Sequence, residues 1–221
     1  MGTLIYPSPA VADVYHAAGL KFGSRLTREE IAARFRAAFV RNGATSFVDH
    51  SELLDSESRE RLRWQTIVGD VFRELPSAKE ELFESLWHHF AQSSNWRLFD
   101  DVERTWRQLR DLGFQLGIAS NFDHRLEAIA RDRLPFRDED RLFISSRLGY
   151  AKPHPQFFAR IAQELRTPPN AILLVGDDLE NDFHGAQQAG WRAILLDRAA
   201  TERHEVSVYS LSDVVSLVNR S

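Results

Sequence analysis

I-L-L-V-G-D-D-L-E-N-D-F-H-G-A-Q-Q-A-G-W, residues 172–191, is the stretch whose reading decides the fold. An apolar run over 172–175 ends at Gly176, Asp177, Asp178, Glu180 and Asp182 follow, and Gly185, Ala186, Ala189 and Gly190 come after them. That order predicts a buried strand, an acidic loop and a closely packed helix. Carboxylates set this close repel one another. Either a divalent cation at the carboxyl end of the strand holds them together, or they line a solvated helix start where the macrodipole favours negative charge. The segment alone leaves both readings open.

Outward from this stretch, the pattern alternates. Helices are predicted near 102–112, 125–131, 156–164, 181–190 and 212–219, and strands at 114–119, 142–145, 172–175 and 193–196. Strands alternating with helices imply an α/β fold with a doubly wound parallel sheet. The amino-terminal part differs, because residues 8–95 carry helical periodicity throughout. Thr27-Arg28-Glu29-Glu30 and Ser77-Ala78-Lys79-Glu80 both read as capping boxes ahead of apolar helices. An all-helical block over 10–95 therefore interrupts a core made of 1–9 and 96–221.

Two further loops carry chemistry. The strand over 114–119 stops at Ser120 and Asn121, whose hydroxyl and amide can orient an oxyanion without adding charge. Gly149-Tyr-Ala-Lys152-Pro-His-Pro155 presents one ammonium from a loop stiffened by two prolines, which suits a phosphate.

Ser120 with Asn121, Lys152 in G-Y-A-K-P-H-P, and Gly176-Asp177-Asp178 with Asp182 resemble the second, third and fourth motifs of the haloacid dehalogenase-like hydrolase superfamily. They stand in the family's order, 32 and 25 residues apart. The resemblance covers most of 95–221 and reaches residues 1–9 through Gly2-Thr3-Leu4, the second half of the opening motif D-x-[D or T]-G-T-[L or V]. Met1 falls at the third position of that motif. The nucleophilic Asp and its strand would stand ahead of it, and Asp13 has no G-T-L turn behind it. A start assigned inside the motif is therefore expected. The alternative, a natural chain without its central strand, would leave the strands ending at Ala119 and Val175 with no partner between them. Buried unpaired backbone groups cost about 1–3 kcal/mol each, and several together rival the ~5–15 kcal/mol that holds a domain folded.

The resemblance implies a Rossmann-like core, a helical cap of the first type and a hydrolase using Mg²⁺. In the full-length protein it implies phosphomonoester hydrolysis through an aspartyl-phosphate. Ser120 and the N–H of Asn121 would hold phosphoryl oxygens, and Lys152 would pair with nucleophile and phosphate. Mg²⁺ would lie on Asp177, on Asp178 or Asp182, and on the backbone carbonyl at Met1. Asp178 and Asp182 read equally as helix caps. His154 and Asp123 read as positional. The chain as written is expected to be inactive. The alternatives are a non-enzymatic binding protein on this scaffold and a metal-free 2-haloacid dehalogenase, whose anionic substrate the acidic cluster would repel.

Composition bounds the rest. In 221 residues, Lys and Arg number 28 against 32 Asp and Glu, a formal charge of −4 that argues against nucleic acid or an anionic membrane as partner. The expected partner is a small phosphorylated substrate. Cysteine is absent, which excludes disulfides and thiolate metal sites, and no apolar run approaches a membrane span; a cytoplasmic location is expected. Trp64, Trp87, His88, His89 and Trp96 read as core aromatics at helical spacing rather than a pocket, and adjacent His88 and His89 point apart on one helix.

Overall fold

The computed structural model describes residues 2–43, 55–137, 139–199 and 207–219. Four helices come first after a short strand, β1 (Ile5–Pro7): α1 (Val11–Lys21), α2 (Arg28–Arg41), α3 (Glu57–Val71) and α4 (Lys79–Ala91). They pack on one another around Tyr15, Ile31, Ile67, Val71, Leu82 and Phe83, all buried to 1% exposure or less. Thr27 caps α2 through the expected reciprocal box with Glu30. The box at Ser77 does not form. Pro76 starts a tight turn over Pro76–Ala78, and α4 begins at Lys79 behind Ala78, which offers no side-chain cap. Proline's fixed φ favours that turn and carries Ser77 out of the capping position.

The chain then enters the α/β part. Its elements are β2 (Trp96–Leu98), α5 (Val102–Asp111), β3 (Gly117–Ser120), α6 (Arg125–Arg133), β4 (Arg141–Ile144), α7 (Ser145–Leu148) and α8 (Pro155–Leu165). After them come β5 (Leu173–Gly176), a π-helical turn (Leu179–His184), α9 (Gly185–Gln188), β6 (Arg192–Leu196), β7 (Ser207–Val208) and α10 (Leu211–Val218). Trp96 belongs to this part and is 1% exposed in its core. β3 starts later than the apolar pattern implies. Gly113, at φ 86, lets the Gly113 and Phe114 N–H groups return to the carbonyls of Arg110 and Leu109, so 114–116 form the exit from a Schellman end of α5.

β3 runs parallel to β4, with Ile118 opposite Leu142, and β5 runs parallel to β6, with Leu174 opposite Ala193; β6 continues to β7. Alternate residues of β5 and β6 face opposite layers. Leu173, Val175 and Ile194 pack with Val102 of α5 and with Leu211 and Val214 of α10, whereas Leu174 and Ala193 pack with α8 and Trp191. Helices thus cover both faces of parallel strands, and the fold class is α/β, doubly wound and Rossmann-like.

β3 and β5 do not pair with each other. Between them lies a cavity of about 1150 Å³, lined by both strands and by α5, α8 and α10. The hydrogen bonds Arg141 N–H to Leu116 O and Arg192 N–H to Ile172 O fix the alternation. Leu116 and Ile118 bond to β4, Ile172 and Leu174 bond to β6, and Gly117, Ala119, Leu173 and Val175 turn their backbone groups to the cavity.

Candidate functional site

Four segments meet where β3 and β5 end: residues 2–3, the loop after β3, the loop before α8 and the acidic loop after β5. Thr3, Ser120, Lys152, Asp177 and Asp182 all line the mouth of the cavity there. Met1, expected to lend a carbonyl to the metal, lies outside the described residues.

Lys152 is 7% exposed. Its Nζ donates to Asp182 Oδ1 at 2.5 Å and to the Ala119 carbonyl at 3.0 Å. The loop that carries it is locked to β3 by Asn121, whose Oδ1 accepts from Lys152 N at 2.7 Å while its Nδ2 donates to Lys152 O at 2.9 Å. The Asn121 side chain is therefore occupied in positioning the lysine, and its N–H is what the residue can offer a ligand. Ser120 is half-buried at the cavity, and its hydroxyl has no partner among the described residues.

The acidic loop separates its carboxylates by role. Asp177 is exposed and accepts from Thr3 Oγ1 at 2.5 Å. Gly2 lies so close against the Asp177 carboxylate that a Cβ there would collide with it, and Gly2 holds φ 112. Asp178 caps the π-helical turn, its Oδ1 accepting from Glu180 N and Asn181 N and its Oδ2 from Asn181 Nδ2. Asp182, 7% exposed, is neutralised by Lys152 and accepts from Asp178 N at 3.2 Å. Mutual repulsion is relieved by a helix cap and a buried ion pair. Of these carboxylates, Asp177 is left with oxygen capacity toward the mouth.

Several residues that secure the site carry no motif. Arg198, just past β6, donates to the carbonyls of Gly2 and Thr3 and pairs with Asp101, which accepts in turn from Leu211 N at the start of α10. Burial raises the Asp101 pKa, but the Arg198 hydrogen bond carries it below the usual carboxylate value. Asp123 and Arg125 form a buried bidentate pair, both bonds 2.7 Å, and Arg125 lies 3.4 Å from the centre of the Trp87 ring on α4. Glu57, at the start of α3, accepts from Ser146 Oγ at 2.7 Å and lies 2.6 Å from His124 Nδ1, so the helical block is fastened to the core beside the site. Glu57, Asp123 and His124 place ligand atoms within 4.8 Å of one another. Asp123 spends both oxygens on Arg125, and the cluster is an ion-pair network. Asp55, at the same junction, is pushed up to about 6 by burial and by the charge of Glu60. Sequence spacing gives no sign of the Arg198–Asp101, Glu57–Ser146, Glu57–His124 and Arg125–Trp87 pairings, because each joins segments far apart in the chain. His154 caps α8, accepting from Gln156 N, and packs against Tyr150.

Comparison with known proteins agrees with this arrangement. A haloacid dehalogenase-like hydrolase family model matches residues 1–190. The haloacid dehalogenase-like hydrolase domain-containing protein 3 of Danio rerio is 26% identical, with 93% of this chain and 86% of that protein covered. The ribulose-1,5-bisphosphate 5-phosphatase of Halopiger xanaduensis is 27% identical, with 62% of this chain and 63% of that protein covered. Among solved structures, the magnesium-bound HAD-hydrolase YfnB from Bacillus subtilis superposes with a TM-score of 0.73 at 16% identity, covering 99% of this chain and 95% of the other. Structures sharing the fold also include haloacid dehalogenases, and likeness at such identity speaks for the fold alone. No helix among the described residues is long and apolar enough to cross a membrane. With the family model spanning most of its length and its motif residues gathered at one mouth, the chain belongs to the haloacid dehalogenase-like hydrolases.

Proposed function

We propose that the site binds the phosphate of a small phosphomonoester and that the complete enzyme hydrolyses it with Mg²⁺. The observation carrying this reading is the convergence of an unpartnered hydroxyl, Ser120, with a buried ammonium, Lys152, and one available carboxylate, Asp177, at one cavity mouth. Ser120 Oγ and the Asn121 N–H are donors for phosphoryl oxygens. Lys152, held by Asp182 and Ala119 O, supplies a fixed positive charge that balances phosphate without swinging away. Kinship with a protein named as a sugar-bisphosphate phosphatase supports the substrate class.

Magnesium fits the donor set in a restricted way. Mg²⁺ commonly takes one or two carboxylates and completes its shell with water and substrate oxygens. Asp177 meets that need; Asp178 and Asp182 are occupied as cap and counter-ion. When bound, the ion neutralises and orients phosphoryl oxygens. The reaction also needs a nucleophilic carboxylate between Ser120 and Asp177. Attack on phosphorus would release the alcohol and leave an acyl phosphate for water to cleave. No described carboxylate of this chain occupies that place. We infer that helices α1 to α4, fastened to the core through Glu57 and Arg125, act as a cap that excludes water.

The test adds an apolar strand ahead of the chain, with an Asp two residues before Met1, and measures hydrolysis of a generic aryl phosphate. Mg²⁺-dependent turnover that falls about 100-fold or more on Asp177→Asn is expected. The 221-residue chain by itself should show none above buffer. Turnover by the unextended chain, or halide release from 2-haloacids without Mg²⁺, would overturn the reading. An inert extended protein would favour a binding role on the same scaffold.

A further inference from the structure

Arg198 does not line the cavity mouth, yet its guanidinium is committed on both edges. Nε and Nη2 donate to the successive carbonyls of Gly2 and Thr3 at 3.1 and 2.8 Å. Nη1 and Nη2 donate to the two carboxylate oxygens of Asp101 at 3.0 and 2.9 Å. Asp101 is itself held by Leu211 N at 2.8 Å, and the guanidinium carbon lies 3.9 Å from the centre of the Phe99 ring. We propose that Arg198 is a positioning residue for Asp177, an inference that rests on reading Asp177 as a magnesium ligand. Through the turn at residues 2 and 3 it sets the affinity of the site for the ion without touching it.

Two contacts connect that turn to the carboxylate. Thr3 Oγ1 donates to Asp177 Oδ1 at 2.5 Å, and Gly2 faces Asp177 Oδ2 so closely that a Cβ there would stand 2.2 Å from it. The turn therefore bears on both oxygens, orienting the group while lone pairs remain for a ligand. Partners of this kind commonly change metal affinity by about 10–100-fold. Their effect requires a fixed backbone. Glycine at φ 112 imposes no preference of its own, so the place of the turn depends on what holds its polar groups. Gly2 N bonds to Ile5 O and Leu4 O accepts from Phe99 N, which leaves the Gly2 and Thr3 carbonyls to Arg198. A planar fork can meet two successive carbonyls with one edge and a carboxylate with the other. A lysine ammonium keeps the charge and loses that geometry.

The experiment compares the 221-residue chain with Arg198→Lys, Thr3→Val and the double variant. The first measurement needs no metal and reads backbone N–H relaxation at Gly2 and Thr3. Order parameters near the rigid value of about 0.85 are expected in the parent and below ~0.6 in Arg198→Lys, with β3 and β5 unchanged. The second titrates Mg²⁺ and follows the amide signals of Asp177 and Asp178. Each single variant should weaken binding about tenfold, and the double variant should fall well short of the product of the two losses, because both act along one path. Asp101→Asn leaves Arg198 in place but releases its orientation, and should give both changes in smaller measure even if the Arg198 variant does not fold. Losses that multiply, as for a merely structural arginine, would overturn the proposal. So would a turn that stays rigid in Arg198→Lys. Saturable Mg²⁺ binding that is lost on Asp177→Asn but unchanged in Arg198→Lys would overturn it alone. A parent chain that binds no Mg²⁺, or binds it equally after Asp177→Asn, would overturn the magnesium reading with it.

Discussion

At the scale of single residues, the Lys152–Asp182 pair is the charge contact on which the site most depends. Both side chains are about nine-tenths buried, so removing one partner strands the other's charge. Lys152→Met should cost about 3–5 kcal/mol in urea unfolding, and adding Asp182→Leu should recover most of the loss. Asp55 makes the opposite contribution. Its carboxyl is raised to about 6 by burial first and by Glu60 second, and its Oδ2 is buried without a partner. The folded state thus holds that proton more tightly than the unfolded chain, whose carboxyl titrates near 3.9. Stability should fall as pH rises from about 4 to 6, by on the order of 1 kcal/mol after solvent screening, and Asp55→Asn should flatten that part of the profile. The roles within the acidic loop were only half legible. Ser120, Lys152 and Asp177 could be named from motif spacing, but the division of Asp178 and Asp182 into cap and counter-ion depends on Lys152 arriving from 30 residues away.

Among the elements, β3 and β5 carry a prediction that follows from alternation alone. Native-state exchange should be slow at Ile118 and Leu174, which bond to β4 and β6, and faster at Gly117, Ala119, Leu173 and Val175. Uniform protection along either strand would contradict the open edges. Helix existence and most strand positions were readable because period and apolar content agreed. What sequence could not give was the competition at ends: Thr27 formed its box, whereas Pro76 drew Ser77 into a tight turn, and Gly113 delayed β3. In each case a backbone preference outweighed a side-chain pattern.

For the molecule as a whole, charged contacts join the packing of Phe90, which belongs to both cores, in attaching the helical block to the α/β part. Burial tends to raise Glu57, yet hydrogen bonds from Ser146 and His124 hold its pKa below the ordinary value. Its contribution is present above the unfolded carboxylate range near 4.3 and is lost as pH falls through the folded value. Glu57→Gln at pH 7 should reproduce the acid effect, seen as a larger radius of gyration in solution scattering, with overall stability changed by only about 1 kcal/mol. The shift from unbroken helical period to alternation was legible, but the fastening by Glu57 and Arg125 was not, since their partners lie in other segments. The π-helical turn over Leu179–His184 has a further consequence. Its wider winding brings Asp182 back beneath Gly176, close enough to leave no room for a Cβ. Dropping one codon there would restore ordinary winding and rotate the carboxylate by about 100° away from the lysine. In the course of divergence, this loop can therefore change its letters far more freely than its length.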